Sequence, residues 1–212
     1  QVDIQLEFRE AAFGVKRQIK LYKSSLCAHC KGEGGEPGSK TTSCKTCEGQ
    51  GQVRQMQRTM FGTIQTATVC PTCHGKGKSW DQSCKSCKGK GVERREQVLD
   101  LEIPAGINSG ETMKVVGEGE AISGGKPGDL YVRVQVKSHP KFVREGNDVL
   151  TEEYVPFSLL ALGGEWPVET LNGPVKVKIP EGTISGTPFT LRQEGVPFLR
   201  SNGKGNHIAR MI

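Results

Sequence analysis

Cys27-Ala-His-Cys30-Lys-Gly-Glu-Gly34 is the first of four copies of one eight-residue phrase. The others are Cys44-Lys-Thr-Cys47-Glu-Gly-Gln-Gly51, Cys70-Pro-Thr-Cys73-His-Gly-Lys-Gly77 and Cys84-Lys-Ser-Cys87-Lys-Gly-Lys-Gly91. All 8 cysteines of the 212-residue chain fall inside them. A Cys-x-x-Cys turn offers two thiolates to one metal, and Zn²⁺ takes four such ligands tetrahedrally. Four turns therefore make two complete all-cysteine sites, with two zinc ions per chain and no ligand left over. Such closed coordination is that of a structural staple, because a catalytic zinc keeps a position open for water. The two glycines after each pair permit positive φ and close backbone approach. Spacing alone leaves the pairing open. Sequential and nested arrangements of the four turns are both feasible.

Competing readings of the cysteines are weaker. Disulfide frameworks belong to small secreted domains lacking a core, and this chain is too long to need one. Cys70-Pro-Thr-Cys73-His74 matches the c-type haem attachment string. The other copies carry Lys31, Glu48 and Lys88 where His74 stands, so that slot is variable within a repeat. Thiol-disulfide exchange through the Cys-x-x-Cys pairs is the principal alternative function. Free thiols in this number imply a reducing compartment, either the cytoplasm or an organelle interior such as the chloroplast stroma or mitochondrial matrix.

The formal charge of +6 invites a nucleic-acid reading. Eight bound thiolates and two Zn²⁺ together remove four positive charges, leaving a modest excess that reads as a solvated surface. Base-stacking aromatics are sparse in residues 27–91, where only Phe61 and Trp80 occur. Trp80 and Trp166 are assigned to packing. No apolar run approaches membrane-spanning length. Neither nucleic acid nor membrane is an expected partner.

Outward from the cysteine phrases, strand periodicity takes over. Ile4, Leu6 and Phe8 alternate with polar neighbours, then Val15, Arg17, Ile19 and Leu21 after a turn near Gly14. Alternation resumes at Val98–Ile103, Met113–Val116 and Leu130–Val136. The cysteine segment thus interrupts a β domain. A second repeat is present: Ile103-Pro-Ala-Gly-Ile-Asn-Ser-Gly returns as Ile179-Pro-Glu-Gly-Thr-Ile-Ser-Gly, and Gly128-Asp-Leu-Tyr is answered by Gly205-Asn-His-Ile. Two related β domains in tandem follow from this self-similarity. The second contains Asp148–Tyr154, one or two helical turns at Phe157–Leu162, and Val175–Ile179. His139-Pro140-Lys141 reads as the turn dividing them. The expected fold class is mainly β: two tandem β-sandwich-like domains, residues 1–26 with 92–138 and residues 139–212, with a cysteine-rich two-zinc module at 27–91 inserted in the first.

Four Cys-x-x-Cys-x-Gly-x-Gly phrases in that setting, with Gly117-Glu-Gly-Glu120, Pro127-Gly-Asp-Leu-Tyr-Val132 and Ala161-Leu-Gly-Gly-Glu165, resemble the substrate-binding region of class A DnaJ-type co-chaperones. The resemblance spans essentially the whole chain. It implies nested zinc sites: Cys27, Cys30, Cys84 and Cys87 in one, and Cys44, Cys47, Cys70 and Cys73 in the other. It further implies a non-enzymatic module that binds nonnative polypeptide by strand addition at an apolar groove. Carried over by strand position, the groove lining is Ile19, Leu21, Leu99 and Val132. The implied partners are unfolded polypeptides and a seventy-kilodalton heat-shock chaperone. J-domain, Gly/Phe-rich linker and C-terminal dimerisation segment are missing, so a truncated second β domain and a homodimer of the longer protein are expected. Asn206 and His207 stand where the first repeat has Asp129 and Leu130, a departure from the repeat.

Overall fold

Period-two burial becomes strands at intervals along the chain of this computed structural model, which describes residues 1–59 and 62–212, and only the backbone at 57–59, 63 and 64. Phe61 therefore lies outside the described residues. In chain order come β1 (Val2–Leu6), α1 (Phe8–Phe13), β2 (Val15–Leu26), β3 (Thr41–Ser43), β4 (Gln52–Thr59), β5 (Gly62–Val69) and β6 (Lys78–Trp80). Then follow β7 (Val92–Ile103), β8 (Thr112–Val115), β9 (Leu130–Val136), β10 (Val143–Glu145) and β11 (Asp148–Glu153). The last are α2 (Phe157–Leu162), β12 (Gly164–Thr170), β13 (Gly173–Ile179), β14 (Pro188–Leu191) and β15 (His207–Met211). The architecture is mainly β, as the alternation requires.

The internal repeat is a repeat of topology. Strands β1, β9 and β8 form one sheet in that order, with β1 and β9 parallel from Val2↔Val132 to Leu6↔Val136. Strands β11, β15 and β14 repeat the order with β10 added at the edge, and β11 runs parallel to β15 from Val149↔His207 to Glu153↔Met211. Each repeat also has a two-stranded sheet, β2–β7 in the first and β12–β13 in the second. Only Leu171 and Asn172 separate β12 from β13, whereas residues 27–91 separate β2 from β7. The cysteine segment thus occupies the place of a tight hairpin turn.

Phe8 was expected to continue the first strand, but it opens α1. Glu7 and Glu10 form a capping box, with Glu10 Oε2 accepting the Glu7 N–H at 2.8 Å. Local capping and the helix formers Ala11 and Ala12 override the alternation begun at Ile4. α2 is its counterpart. Gly14 and Gly163 close these helices at φ 78° and 74°. A Cβ on Gly14 would lie 2.8 Å from Ile103 O, and one on Gly163 would lie 3.0 Å from Ile179 O. The two helix ends therefore seat against the two Ile-Pro strand ends noted in the sequence.

The chain divides into two compact units: residues 1–19, 100–113 and 132–212, and residues 20–99 with 114–131. The division falls inside β2, β7, β8 and β9. Both β repeats contribute to the first unit. In it Val155, Leu160, Val168, Val177, Ile179, Ala209 and Met211 form a core cluster between the second repeat's sheets, with Trp166 packed against it. A further cluster draws Phe8 and Ala12 from the first repeat and Phe142, Val149, Leu171 and Val196 from the second. His139 stacks on Phe142 at 4.7 Å, and its Nδ1 accepts the N–H groups of Lys141 and Phe142. That bond pattern makes the His-Pro-Lys segment a braced turn.

Candidate metal centre

The second unit contains two cages of sulfur. Cys27, Cys30, Cys84 and Cys87 come together in one, here termed the outer centre, and Cys44, Cys47, Cys70 and Cys73 in the other, the inner centre. Strand pairing produces this nesting. β4 pairs antiparallel with β5 from Gln52↔Val69, and β3 with β6 from Thr41↔Trp80. These hairpin-like pairings bring the second phrase beside the third, while β2 and β7 bring the first beside the fourth.

Backbone bonds tie each pair of phrases reciprocally. Cys27 N–H donates to Gly91 O at 3.0 Å and Cys84 N–H to Gly34 O at 2.9 Å. Cys44 N–H donates to Gly77 O at 2.9 Å and Cys70 N–H to Gly51 O at 3.0 Å. The final glycine of each phrase thus docks on the partner phrase. A Cβ there would come within 2.5 Å of a partner carbonyl: Gly34 meets Gly89 O, Gly91 meets Gly32 O, Gly51 meets Gly75 O and Gly77 meets Gly49 O. The same glycines turn their N–H groups onto sulfur, Gly34 to Cys30, Gly51 to Cys47, Gly77 to Cys73 and Gly91 to Cys87, at 3.1–3.3 Å. Lys31, Glu48, His74 and Lys88 all take left-handed φ near 50°. His74 is therefore a turn residue, which leaves the haem-like string without a haem role.

The cages have dimensions suited to zinc. A tetrahedron with Zn–S legs of about 2.3 Å has edges of about 3.8 Å. The measured Sγ···Sγ distances are 3.9 Å (Cys27–Cys84), 3.7 Å (Cys30–Cys87), 3.9 Å (Cys44–Cys70) and 3.6 Å (Cys47–Cys73). A disulfide requires about 2.05 Å. All eight sulfur-bearing residues are buried, between 0% and 6% exposed. No solvent-facing thiolate of the kind that thiol-disulfide exchange uses is present among them.

Electrostatics point the same way. Burial pushes the Cys47 thiol up to about 11 and Cys87 up to about 12, with neighbouring sulfurs adding to the rise. Burial also opposes ionisation of Cys27, but N–H groups of Cys30 and His29 outweigh it and bring that thiol down to about 7. Cys70 reaches about 7 chiefly through the Cys73 N–H. Four sulfurs this close cannot all ionise without a cation among them, and a divalent metal resolves the conflict while displacing protons.

Two side chains brace the cages, Lys76, which the sequence did not single out, and Trp80, which it assigned to packing. Lys76, in the third phrase, donates to the carbonyls of Gly32 at 3.1 Å and Glu33 at 2.9 Å in the first phrase. Trp80 Nε1 donates to Glu33 O at 3.0 Å, and its ring covers Gly35 so closely that a Cβ there would overlap it. Trp80 is thereby a packing residue. The signal available in sequence was weak, since a lysine between two glycines reads as solvated.

The expected groove residues are distributed over both units. Ile19 and Val132 belong to the first and Leu21 and Leu99 to the second. Ile19, Leu21 and Leu99 are half-buried, whereas Val132 is completely buried. Alternation identifies the inward face but does not report access.

Comparison with known proteins agrees with this architecture. Residues 1–212 match the family described as DnaJ C terminal domain. "Chaperone protein DnaJ" of Acetivibrio thermocellus is 44% identical over 209 residues, 98% of this chain and 54% of that protein. The Brevibacillus choshinensis protein of the same name is 45% identical over 212 residues, 100% of this chain and 56% of its own length. That of Methanothermobacter thermautotrophicus is 43% identical over 206 residues, covering 97% and 54% respectively. The chain spans about half the length of these relatives. Four glycine-locked cysteine phrases set in a duplicated β scaffold, and a family match from its first residue to its last, lead to one assignment: the chain belongs to the DnaJ C-terminal domain family.

Proposed function

We propose that this chain is the polypeptide-binding part of a co-chaperone that works with a seventy-kilodalton heat-shock chaperone, holding nonnative polypeptide by strand addition. It is a binding module without catalysis, and its two buried tetrathiolate centres carry structural zinc. The bacterial and archaeal origin of the relatives favours the cytoplasm over an organelle interior. Among the described residues no helix is long and apolar enough to cross a membrane. The domain boundaries near residues 26, 92 and 138, and a homodimer formed through segments outside this sequence, belong to the same reading.

One observation carries it. Among the described residues β2 pairs only with β7, so the other edge of β2 beside Ile19 and Leu21 is not covered by a strand. Main-chain bonds along such an edge serve any client sequence, and half-buried apolar side chains beside it accept one apolar client residue. Leu99 on β7, the strand that pairs with β2, is half-buried as well.

A photo-crosslinker at Leu21 should capture an unfolded apolar peptide, and Leu21→Ser should weaken binding about tenfold, the value of part of a leucine's burial of about 1.5–3 kcal/mol. Capture confined to β10–β15, with Leu21→Ser binding normally, would refute the placement.

A further inference from the structure

Next to the outer centre lies a second set of ligating atoms. His29 Nε2 and Glu36 Oε1 are 3.0 Å apart, and one ligating atom of each side chain lies within 4.8 Å of Cys84 Sγ. The two centres differ here. The third position of each phrase holds His29, Thr46, Thr72 or Ser86. Around the inner centre Thr46 and Thr72 bond each other at 2.9 Å and offer no metal ligand. Around the outer centre Ser86 turns to Glu93 at 3.2 Å, and His29 faces Glu36.

Glu36 is held in place from both sides. Its N–H donates to Gln82 O at 3.0 Å, and its Oε2 accepts the Lys85 N–H at 3.2 Å. The neighbouring Gly35 bridges to Ser83. The carboxylate is therefore fixed beside Cys84 before any ligand arrives. Access is graded: the His29 side chain is 49% exposed and that of Glu36 24%, while Cys84 is buried.

We propose that His29, Glu36 and the Cys84 thiolate form a third cation site on the outer centre, taking a further Zn²⁺ or similar divalent ion with Cys84 bridging two metals. The proposal rests on the reading of the outer centre as tetrathiolate zinc. Such a centre carries a net charge of −2, and its sulfur lone pairs can bind a second cation. Imidazole, carboxylate and thiolate are all zinc donors, and water completes a tetrahedron. Legs of about 2.0–2.1 Å set N and O about 3.4 Å apart. Replacing the hydrogen bond by a metal requires opening the present 3.0 Å contact by a few tenths of an ångström and drawing both side chains to about 3.6 Å from Cys84 Sγ, which stands within 4.8 Å of their ligating atoms. Because this site keeps a water position and faces solvent, it is a port through which metal reaches or leaves the outer cage. Among the described residues the inner centre has no equivalent, so its ion exchanges more slowly.

The test uses the full chain, first shown to hold two zinc ions. Calorimetric titration with Zn²⁺ should reveal a third, weaker equivalent. His29→Ala and Glu36→Gln should each weaken it at least tenfold while retaining the first two ions, which doubles as the folding check. His74→Ala, the histidine beside the inner centre, should leave it unchanged. Exchange of outer-centre zinc against isotopically labelled zinc should slow in His29→Ala. Saturation at two ions, a third ion retained by both variants, or its loss in His74→Ala overturns the proposal. A starting count below two overturns the tetrathiolate reading itself, and the port with it.

Discussion

Removing metal with a strong chelator should unfold residues 27–91 and leave the β structure of the first unit standing. The contrast follows from where apolar surface is buried. Among the described residues of 27–91 the buried hydrophobic side chains are the eight cysteines alone. Val53 only partly covers the inner cage. Ordering backbone costs about 1–2 kcal/mol per residue, and here no aliphatic core offsets it. Structural zinc contributes about 10–16 kcal/mol per site in small zinc peptides, which is of the right size to hold such a segment together. The first unit has its own clusters, around Val168 and Met211 and around Phe142 and Val149. Hydrogen exchange read by mass spectrometry distinguishes the two. Amides of Cys27, Cys44, Cys70 and Cys84, each bonded to a glycine carbonyl across its centre, should lose protection on chelation. Amides of β9 and β15 should keep it. Protection lost from β15 in step with zinc release would mean that the scaffold depends on the metal.

Substituting the last glycine of a phrase should abolish metal binding, whereas substituting the glycine two places earlier should only weaken it. Gly89 and Gly91 have nearly the same φ, 83° and 77°, so conformational strain alone predicts equal effects of about 1–2 kcal/mol. Their surroundings separate them. A Cβ on Gly89 would meet Ser83 Cβ at 3.7 Å, an ordinary contact, while one on Gly91 would stand 2.3 Å from Gly32 O. Relief requires the paired turns to part by about an ångström, which breaks the Cys27–Gly91 bond and misplaces two sulfurs. The inner centre repeats the contrast, with Gly75 3.5 Å from Val69 Cγ1 and Gly77 2.3 Å from Gly49 O. Competition with a chromophoric chelator should show Gly89→Ala and Gly75→Ala about 5- to 30-fold weaker, and Gly91→Ala and Gly77→Ala without a tight ion at the affected centre. Equal losses across all four variants would show that strain, not approach, selects these glycines.

Much of this was legible in the sequence, and the remainder has physical causes. Cysteine spacing declared two tetrathiolate sites but not their partners, because pairing is set by strands distant in sequence. The resemblance supplied nesting, and the strand pairs β2–β7 and β4–β5 produce it. The Ile-Pro repeat announced the duplication, since identical strand ends need identical turns. Helix α1 was hidden by continuing alternation through Phe8, although Glu7 and Glu10 already spelled its cap. Strands β4 and β5 escaped notice because residues such as Gln55, Met56, Gln65 and Thr66 are exposed, and no buried face imposes a period. The approach of His29 and Glu36 to Cys84 was not legible, because residues about 50 positions apart are brought together only by the fold.

Zinc and thiol counts on freshly isolated, undenatured chain test the central claim most directly. The account predicts two zinc ions per polypeptide and eight cysteines that resist alkylation until a chelator is added, then react fully without prior reduction. Fewer than two tightly held ions, or sulfurs already joined to one another, would contradict it.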